Sequence, residues 1–271
     1  MIFWLWESNF NKNNLRMKKK IINIFLLLVI FNFGAKSNSY GFKFQSGQQK
    51  TGDTLHEYYK NSLKKSAIIS GSLLTGGLIM FSNPVYDRHN FQIDFRNLYP
   101  TFNSHIDDYL QFSPLAIMYG LDLSGIKPRN NFIEQTIISV KAEIFAIAVS
   151  YALKYSTHVM RPDGSNSQSF PSGHTTQAFM AATMLHEEFG QNNIGISIAA
   201  FGLATTTGAM RMWNNKHWIS DVLAGAAFGY FFTELAYYTH RYKFSKRKND
   251  KITLLPYYNN QTFGLAATFG L

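Results

Sequence analysis

Apolar residues recur at helical intervals in long segments, and short polar stretches separate these segments. The segments are residues 66–86, 105–120, 132–155, 173–189, 194–210 and 218–240. The last two are rich in Ala and Gly, which suits close packing between helices. Alternating strands and helices, the pattern of a parallel sheet, do not occur. The pattern predicts an all-α protein, a bundle of about six core helices.

The C-terminal end has a different period. Its final ten residues, TFGLAATFGL, alternate large apolar residues with small or polar ones, as β-strands do. Paired with residues 252–258 across Asn259 and Asn260, they predict a short β-hairpin. The basic segment 241–251 precedes it and is typical of a solvated helix end or of a membrane-surface patch.

The N-terminal residues are typical of a targeting sequence. Lys18, Lys19 and Lys20 precede the apolar run 21–33, and small residues follow it. Met17, directly before the lysines, is an alternative start. We therefore expect residues 1–37 to be an over-long start plus a signal peptide, with export to the periplasm. An uncleaved membrane anchor is the alternative, although the run is shorter than the ~20 residues of a spanning helix.

Charge and composition limit the substrates, partners and types of site that we expect. Without residues 1–37, the chain keeps 20 basic and 15 acidic residues, a modest basic excess that suits an anionic substrate or membrane surface. The basic residues are scattered and no nucleic-acid motif is present, so nucleic acid is not the expected partner. The absence of cysteine excludes disulfides and thiolate metal sites. Oligomeric state is left open.

Membrane spans are ambiguous in the pattern. Residues 66–86 and 194–210 are long and apolar enough to cross a bilayer. The segment 132–155 carries Lys141 and Glu143 in its middle, so we expect it to pack against protein. Membrane association therefore remains an expectation, and the domain limits we predict are 38–60 for a polar segment, 61–243 for the main domain and 244–271 for the tail.

Three polar clusters lie at the ends of apolar helices. Lys154 and Arg161 are two helical turns apart, before Pro162, so both cations can reach one spot. Residues 171–174, Pro-Ser-Gly-His, open the next helix, where free N–H groups bind phosphate-like anions. Arg211 comes at the end of a later helix. Taken singly, each is more typical of an ordinary helix end.

His217 and Asp221 complete the third cluster. At a spacing of one helical turn, the Asp221 carboxylate can accept from one ring nitrogen of His217 and leave the other basic. Such a pair suits a histidine nucleophile or base, although a lone pair at this spacing is more often structural.

Together the clusters become recognisable. Lys154-x6-Arg161-Pro162, then Pro171-Ser172-Gly173-His174, then Arg211-x5-His217-x3-Asp221 resembles the signature of the type 2 phosphatidic acid phosphatase superfamily, which includes bacterial acid phosphatases and vanadium haloperoxidases. The resemblance covers about residues 60–240. Met210 stands where the family usually has serine, so we expect weaker anion binding.

The resemblance implies roles. His217 would be the nucleophile that forms a phosphohistidine, oriented by Asp221, and His174 the general acid and then the base. The phosphate oxygens would be held by Lys154, Arg161, Ser172, Gly173 and Arg211. The resemblance implies no metal or other cofactor.

The substrate expected from the resemblance is a phosphate monoester or pyrophosphate, lipid-linked if the protein contacts the membrane. A soluble periplasmic acid phosphatase acting on small monoesters is the alternative. A vanadium haloperoxidase and a non-catalytic envelope protein with the same fold are the remaining alternatives.

Overall fold

The computed structural model describes residues 52–84, 86–191 and 193–240, and the strand residues 252–259 and 262–269. The described residues up to 240 contain eight α-helices and one turn of π-helix. The helices are α1 (Gly52–Ser82), α2 (Arg88–Arg96), α3 (Ile106–Leu110), α4 (Ser113–Leu123), α5 (Phe132–Thr157), α6 (Gly173–Leu185), α7 (Ile194–Trp213) and α8 (Ile219–Tyr238). The π-helical turn is His186–Gly190. The all-α prediction is confirmed.

Helix α8 is the centre of the bundle. Apolar or small residues cover it on all sides, and α1, α5 and α6 pack around it. Tyr230 and Tyr237 are fully buried there, and Phe179 and Phe201 pack in the same cluster. At Gly225 a side chain would meet the Ser172 carbonyl oxygen at 2.7 Å, so glycine is needed where α8 crosses the start of α6.

Among the described residues, two helices are long and apolar enough to cross a membrane, by length and composition: residues His56–Ser82 of α1 and Phe132–Thr157, all of α5. The predicted span at 66–86 overlaps the first as far as Ser82; α7, the other predicted span, does not pass this test. One face of α5 packs on α6 and α8, as Lys141 and Glu143 led us to expect. Its other face leaves Ile144 and Tyr151 more than half exposed.

A buried polar cluster joins the elements at one end of the bundle. Arg129, in the connection between α4 and α5, donates to Glu187 of the π-helical turn at 2.5 Å. Next to it, Glu188 accepts from Asn130 and from the Tyr237 hydroxyl, at 2.8 and 2.7 Å. These contacts fix the start of α5 against the ends of α6 and α8. They thereby hold the helix that carries Lys154 at its other end.

The tail is a separate compact unit, residues Arg241–Leu271. In it, β1 (Ile252–Asn259) pairs antiparallel with β2 (Thr262–Phe269), with Ile252 opposite Phe269 and Asn259 opposite Thr262. The hairpin prediction is confirmed, with β1 one residue longer than expected. The predicted signal peptide and the basic segment 241–251 lie outside the described residues.

Candidate active site

The loop between α5 and α6 brings the first two motifs together. Helix α5 ends at Thr157, and His158 adopts left-handed backbone angles (φ 48°) at its C-cap, which turns the chain back. Lys154, in the last turn, donates from Nζ to the carbonyl oxygens of Gln168 and Pro171, each at 2.8 Å. The lysine therefore holds the loop that carries the second motif, in addition to placing a cation there.

Arg161 lies in the same loop. Its N–H donates to the Asn166 carbonyl and its own carbonyl accepts from Gly164, so the backbone is fixed locally. Its Nε is buried and makes no hydrogen bond among the described residues. Burial and the neighbouring Arg211 lower the pKa of this guanidinium, opposed by Asp163 and Asp221. Two cations this close to each other favour an anion between them.

Ser172 is the N-cap of α6. Its fully buried side chain accepts from the Thr175 N–H at 3.4 Å and shares a hydrogen bond of 2.9 Å with the Thr175 hydroxyl. Capping therefore occupies the Ser172 hydroxyl in this arrangement, and its predicted contact with phosphate stays a prediction. The Ser172 N–H donates to the Asp221 carbonyl at 3.0 Å, which ties the second motif to the third.

His217 and Asp221 meet at the start of α8. Asp221 lies in the first turn, whereas His217 precedes the helix, so the two do not share one helical turn as the spacing suggested. The carboxylate oxygen Oδ2 is 3.5 Å from His217 Nδ1. The same oxygen accepts from the Trp218 N–H at 2.9 Å and from the Ser169 hydroxyl at 2.5 Å. Nε2 of His217 therefore faces away from the carboxylate.

The His217 ring is neutral near pH 7. Burial lowers its pKa to about 4, and the positive charges of Arg211 and Arg161 act in the same direction, while Asp221 opposes them. Since only a neutral imidazole has a lone pair to share, this environment keeps the ring in its nucleophilic form.

Two acidic residues that the sequence analysis missed complete the site. Asp107 and Asp108 are neighbours on the short helix α3. Arg211 donates from Nη1 to Asp107 Oδ2 at 2.6 Å, and His174 donates from Nε2 to Asp108 Oδ1 at 2.8 Å. Ser169, beside Asp221, was also missed. No local sequence pattern marks these residues, because their partners lie 52 to 104 positions away.

Asp107, Asp108 and His174 could also be considered as ligands of a metal ion. The nearest oxygen and nitrogen atoms of Asp107, Asp108 and His174 lie within 4.8 Å of one another. The guanidinium of Arg211 already sits against Asp107 and lies 3.7 Å from Asp108, so a cation is in place. We interpret the group as an ion-pair network.

A cavity of about 390 Å³ runs along α5 beside these motifs. Its lining is mixed. The cations Lys154 and Arg161 line it together with the apolar or aromatic side chains of Phe112, Ile147 and Tyr151, and the remaining lining residues are Gln111, Glu143, Ala146, Ser150, Gln168, Gly173, Thr176 and Gln177. Thus three of the predicted phosphate-binding residues share one cavity. His174 and His217 are outside this lining.

Comparisons with known proteins agree with the motif pattern. Residues 136–245 match the family model of the PAP2 superfamily. Lipid A 1-phosphatase of Porphyromonas gingivalis is 37% identical over 139 residues, which are 51% of this chain and 31% of that protein. The chain thus spans about a third of the length of this curated relative. A crystal structure of Aquifex aeolicus LpxE covers 52% of this chain and 91% of its own, with 20% identity and a TM-score of 0.41.

The matched segment 136–245 contains all three motifs, from Lys154 to Asp221. The resemblance seen in the sequence is therefore confirmed over residues 136–245, the segment that matches the PAP2 superfamily.

Proposed function

We propose that this protein is a phosphatase that hydrolyses a lipid-linked phosphate monoester or pyrophosphate through a phosphohistidine, without a metal. The observation that carries the proposal is the neutral, buried His217, held at Nδ1 by Asp221 and close to Arg161 and Arg211. A neutral nucleophile beside several cations suits attack on an anionic phosphate.

The chemistry needs two steps. In the first, His217 Nε2 attacks phosphorus, the P–N bond forms as the P–O bond to the leaving group breaks, and His174 gives that oxygen a proton. In the second, water attacks the phosphohistidine, His174 takes a proton from it, and phosphate leaves as the P–N bond breaks. The charge on the non-bridging oxygens would be stabilised by Lys154, Arg161 and Arg211 and by the Gly173 N–H.

The lipid-linked substrate is supported by the walls of the cavity. Ile147 and Tyr151 line it and are also 46% and 56% exposed, so the cavity continues onto the exposed apolar face of α5. A phosphate at the Lys154 end would leave an attached acyl chain free to run along this face into a bilayer. The name of the relative, Lipid A 1-phosphatase, agrees with a lipid substrate.

Hydrolysis by the purified full chain in detergent tests the proposal. We expect turnover of a long-chain lipid phosphate to exceed that of a short-chain analogue and of p-nitrophenyl phosphate, and vanadate to inhibit all three. His217→Ala should abolish turnover, whereas His56→Ala, a surface histidine of α1, should leave it unchanged. Rapid acid-free quenching after incubation with ³²P-labelled substrate should trap an acid-labile, alkali-stable label on the protein.

The alternatives give different results. Near-normal turnover by His217→Ala would overturn the mechanism, and equal or greater activity on short-chain monoesters would favour a soluble acid phosphatase. Halide oxidation with added vanadate and peroxide would indicate a haloperoxidase. For location, we propose an exported, membrane-associated enzyme that faces the periplasm. An integral protein should be released from membranes only by detergent. Release by salt alone would argue against an integral protein.

A further inference from the structure

We propose that Asp107 and Asp108 are positioning residues of this active site: Asp107 orients Arg211 for phosphate binding, and Asp108 orients and charges His174 for proton transfer. This inference rests on the proposed function. Neither carboxylate belongs to the three motifs, and both come from α3, about a hundred residues before Arg211.

Helix α3 is placed to serve both motifs. It packs against α6, which carries His174 in its first turn, and against α7, which carries Arg211 in its last turn. Consecutive helical residues point about 100° apart, so Asp107 and Asp108 face different neighbours. Asp107 is fully buried, while the Asp108 side chain is 44% exposed. One acid is thus enclosed against the arginine and the other lies at the rim with the histidine.

The contact with Asp107 occupies only part of the Arg211 guanidinium. Nη1 donates to Asp107 Oδ2 at 2.6 Å, while Nε is buried without a hydrogen-bond partner among the described residues. Asp107 Oδ1 also accepts from Asn214 at 3.1 Å, so the carboxylate is itself fixed. The carboxylate holds one edge of the guanidinium, and the donors of the other edge remain available to an anion.

The contact with Asp108 fixes which nitrogen of His174 does the chemistry. With Nε2–H donating to Asp108, the proton that the leaving group can receive is the one on Nδ1. Transfer of that proton leaves a neutral ring that still donates from Nε2. The same Nδ1 then accepts a proton from the attacking water, so the ring need not turn between the two steps.

Charges around His174 compete. Burial and the Arg211 cation lower its pKa, and the carboxylates of Asp108 and Asp107 raise it. His105 faces Asp108 from the N-terminal end of α3, 3.5 Å away. Without the charge of Asp108, the lowering of the His174 pKa by burial and by Arg211 would no longer be opposed by the nearest carboxylate. His174 would then lose its acidic proton at a lower pH, and proton donation would fail on the alkaline side first.

Two substitutions separate the two roles. Asp108→Asn should lower kcat for an alkyl phosphate, a poor leaving group, by roughly 10²-fold, because general-acid catalysis contributes 10²–10⁴-fold. For p-nitrophenyl phosphate, whose leaving group needs no proton, the loss should be under about threefold by the same reasoning. The alkaline limb of kcat should move to lower pH, and Asp108→Glu should restore part of the activity.

Asp107→Asn should instead raise KM for both substrates and weaken vanadate binding by about tenfold, the scale of one charge-assisted hydrogen bond, with the alkaline limb unmoved. Asp122→Asn, an acid of α4 outside the site, is the control and should match the wild type. Equal losses on both substrates in Asp108→Asn, with an unshifted limb, would mean a merely structural role and overturn the proposal. Loss of wild-type activity in EDTA, restored by Mg²⁺, would overturn it in favour of a metal site.

Two measurements do not depend on turnover. The pKa of His174, followed by NMR of labelled histidine, should fall in Asp108→Asn, and calorimetric vanadate affinity should fall in Asp107→Asn. If the wild type hydrolyses neither substrate but both shifts occur, the proposed function fails while the positioning roles stand. If neither shift occurs, the positioning roles fail whatever the activity.

Discussion

The Ser169 hydroxyl donates a hydrogen bond of 2.5 Å to Asp221 Oδ2, the carboxylate oxygen that also lies 3.5 Å from His217 Nδ1. Ser169 belongs to the loop after Arg161 and is completely buried, and its own oxygen is 3.4 Å from His217 Nδ1. The loop of the first two motifs therefore supplies a third polar group to the His217–Asp221 pair. A change in this loop should therefore directly affect His217, the proposed nucleophile.

Replacing Ser169 tests this relationship. Ser169→Ala removes the hydroxyl that fixes the shared carboxylate oxygen, so we expect kcat to fall about tenfold, the effect of one hydrogen bond of roughly 1–1.5 kcal/mol. Ser220→Ala is the matched control, since that hydroxyl contacts the other oxygen, Oδ1, at 3.3 Å; it should change kcat less than threefold. Steady-state kinetics of both variants on p-nitrophenyl phosphate test this prediction. Equal decreases in kcat would contradict a special role for Ser169.

Periodicity predicted most of the fold, because each long helix carries its own apolar pattern. The six predicted segments overlap helices, but the segment 105–120 spans both α3 and α4, and α2 lies outside all six. The alternation after residue 262 corresponds to β2. The exposed apolar face of α5 was not predicted. Lys141 and Glu143 correctly indicated a protein-facing side, but a helix of this length has two sides, and the apolar face with Ile144 and Tyr151 stays exposed.

The site was predictable only where its residues form a motif. The first motif identified Lys154 as a candidate, yet its two hydrogen bonds to loop carbonyls depend on how the loop folds back. Asp107 lies 104 residues from its arginine, and Asp108 lies 66 from His174. Pairs at such separations leave no trace in spacing or periodicity, since only tertiary packing brings them together.

Lys154 should be needed for stability as well as for substrate binding. Lys154→Met removes the donor shared by the Gln168 and Pro171 carbonyls, which leaves the loop unfastened. We expect the free energy of unfolding to fall by about 2–3 kcal/mol, since charged hydrogen bonds contribute about that much, and KM to rise tenfold or more. Lys141→Met removes a lysine of the same helix that makes no hydrogen bond among the described residues.

Thermal unfolding in detergent and KM are the two measurements for these lysine variants. If Lys154→Met raised KM without lowering the melting temperature, the lysine would act on the substrate alone. The control should change neither quantity appreciably.

The pH dependence of kcat/KM should be bell-shaped. His217 must be neutral to attack, and because burial lowers its pKa to about 4, activity should persist on the acid side down to about that pH. His174 must be protonated to donate, so activity should fall as pH rises through its pKa, which burial and Arg211 lower. Rates on an alkyl phosphate, whose leaving group needs a proton, test this across pH 3.5–9, and an acid limb near the ordinary histidine pKa would contradict the buried state of His217.

The same shift predicts acid lability. The pKa of His217 is lower in the folded chain than its ordinary value of 6.5, so below that value the unfolded chain binds a proton that the folded chain does not. Stability should therefore fall as pH falls from about 6.5 to about 4, by up to about 1.4 kcal/mol per pH unit for this one group. His217→Gln, which cannot titrate, should show a shallower dependence of melting temperature on pH in this range.

Gly225 should be a sensitive position of α8, because it faces the start of α6. An alanine Cβ there would lie 2.7 Å from the Ser172 carbonyl oxygen and 3.1 Å from Thr175 Cβ, so α8 and the start of α6 must move apart. We expect Gly225→Ala to lower the free energy of unfolding by about 1–3 kcal/mol, the cost of overpacking, and to reduce kcat as Gly173 and His174 shift with the helix start. Gly202→Ala is the control in α7, because nothing lies within 4 Å of its Cβ position.

In Gly202→Ala the gain in helix propensity should stabilise the protein by about 0.5–1 kcal/mol, with kcat unchanged. Melting temperature and kcat should thus both fall below the wild-type values in Gly225→Ala, whereas in Gly202→Ala the melting temperature should rise and kcat should stay level. A wild-type melting temperature and kcat in Gly225→Ala would contradict the close contact between α8 and the start of α6. The bundle core would then be coupled to the site through the Ser172–Asp221 backbone hydrogen bond alone.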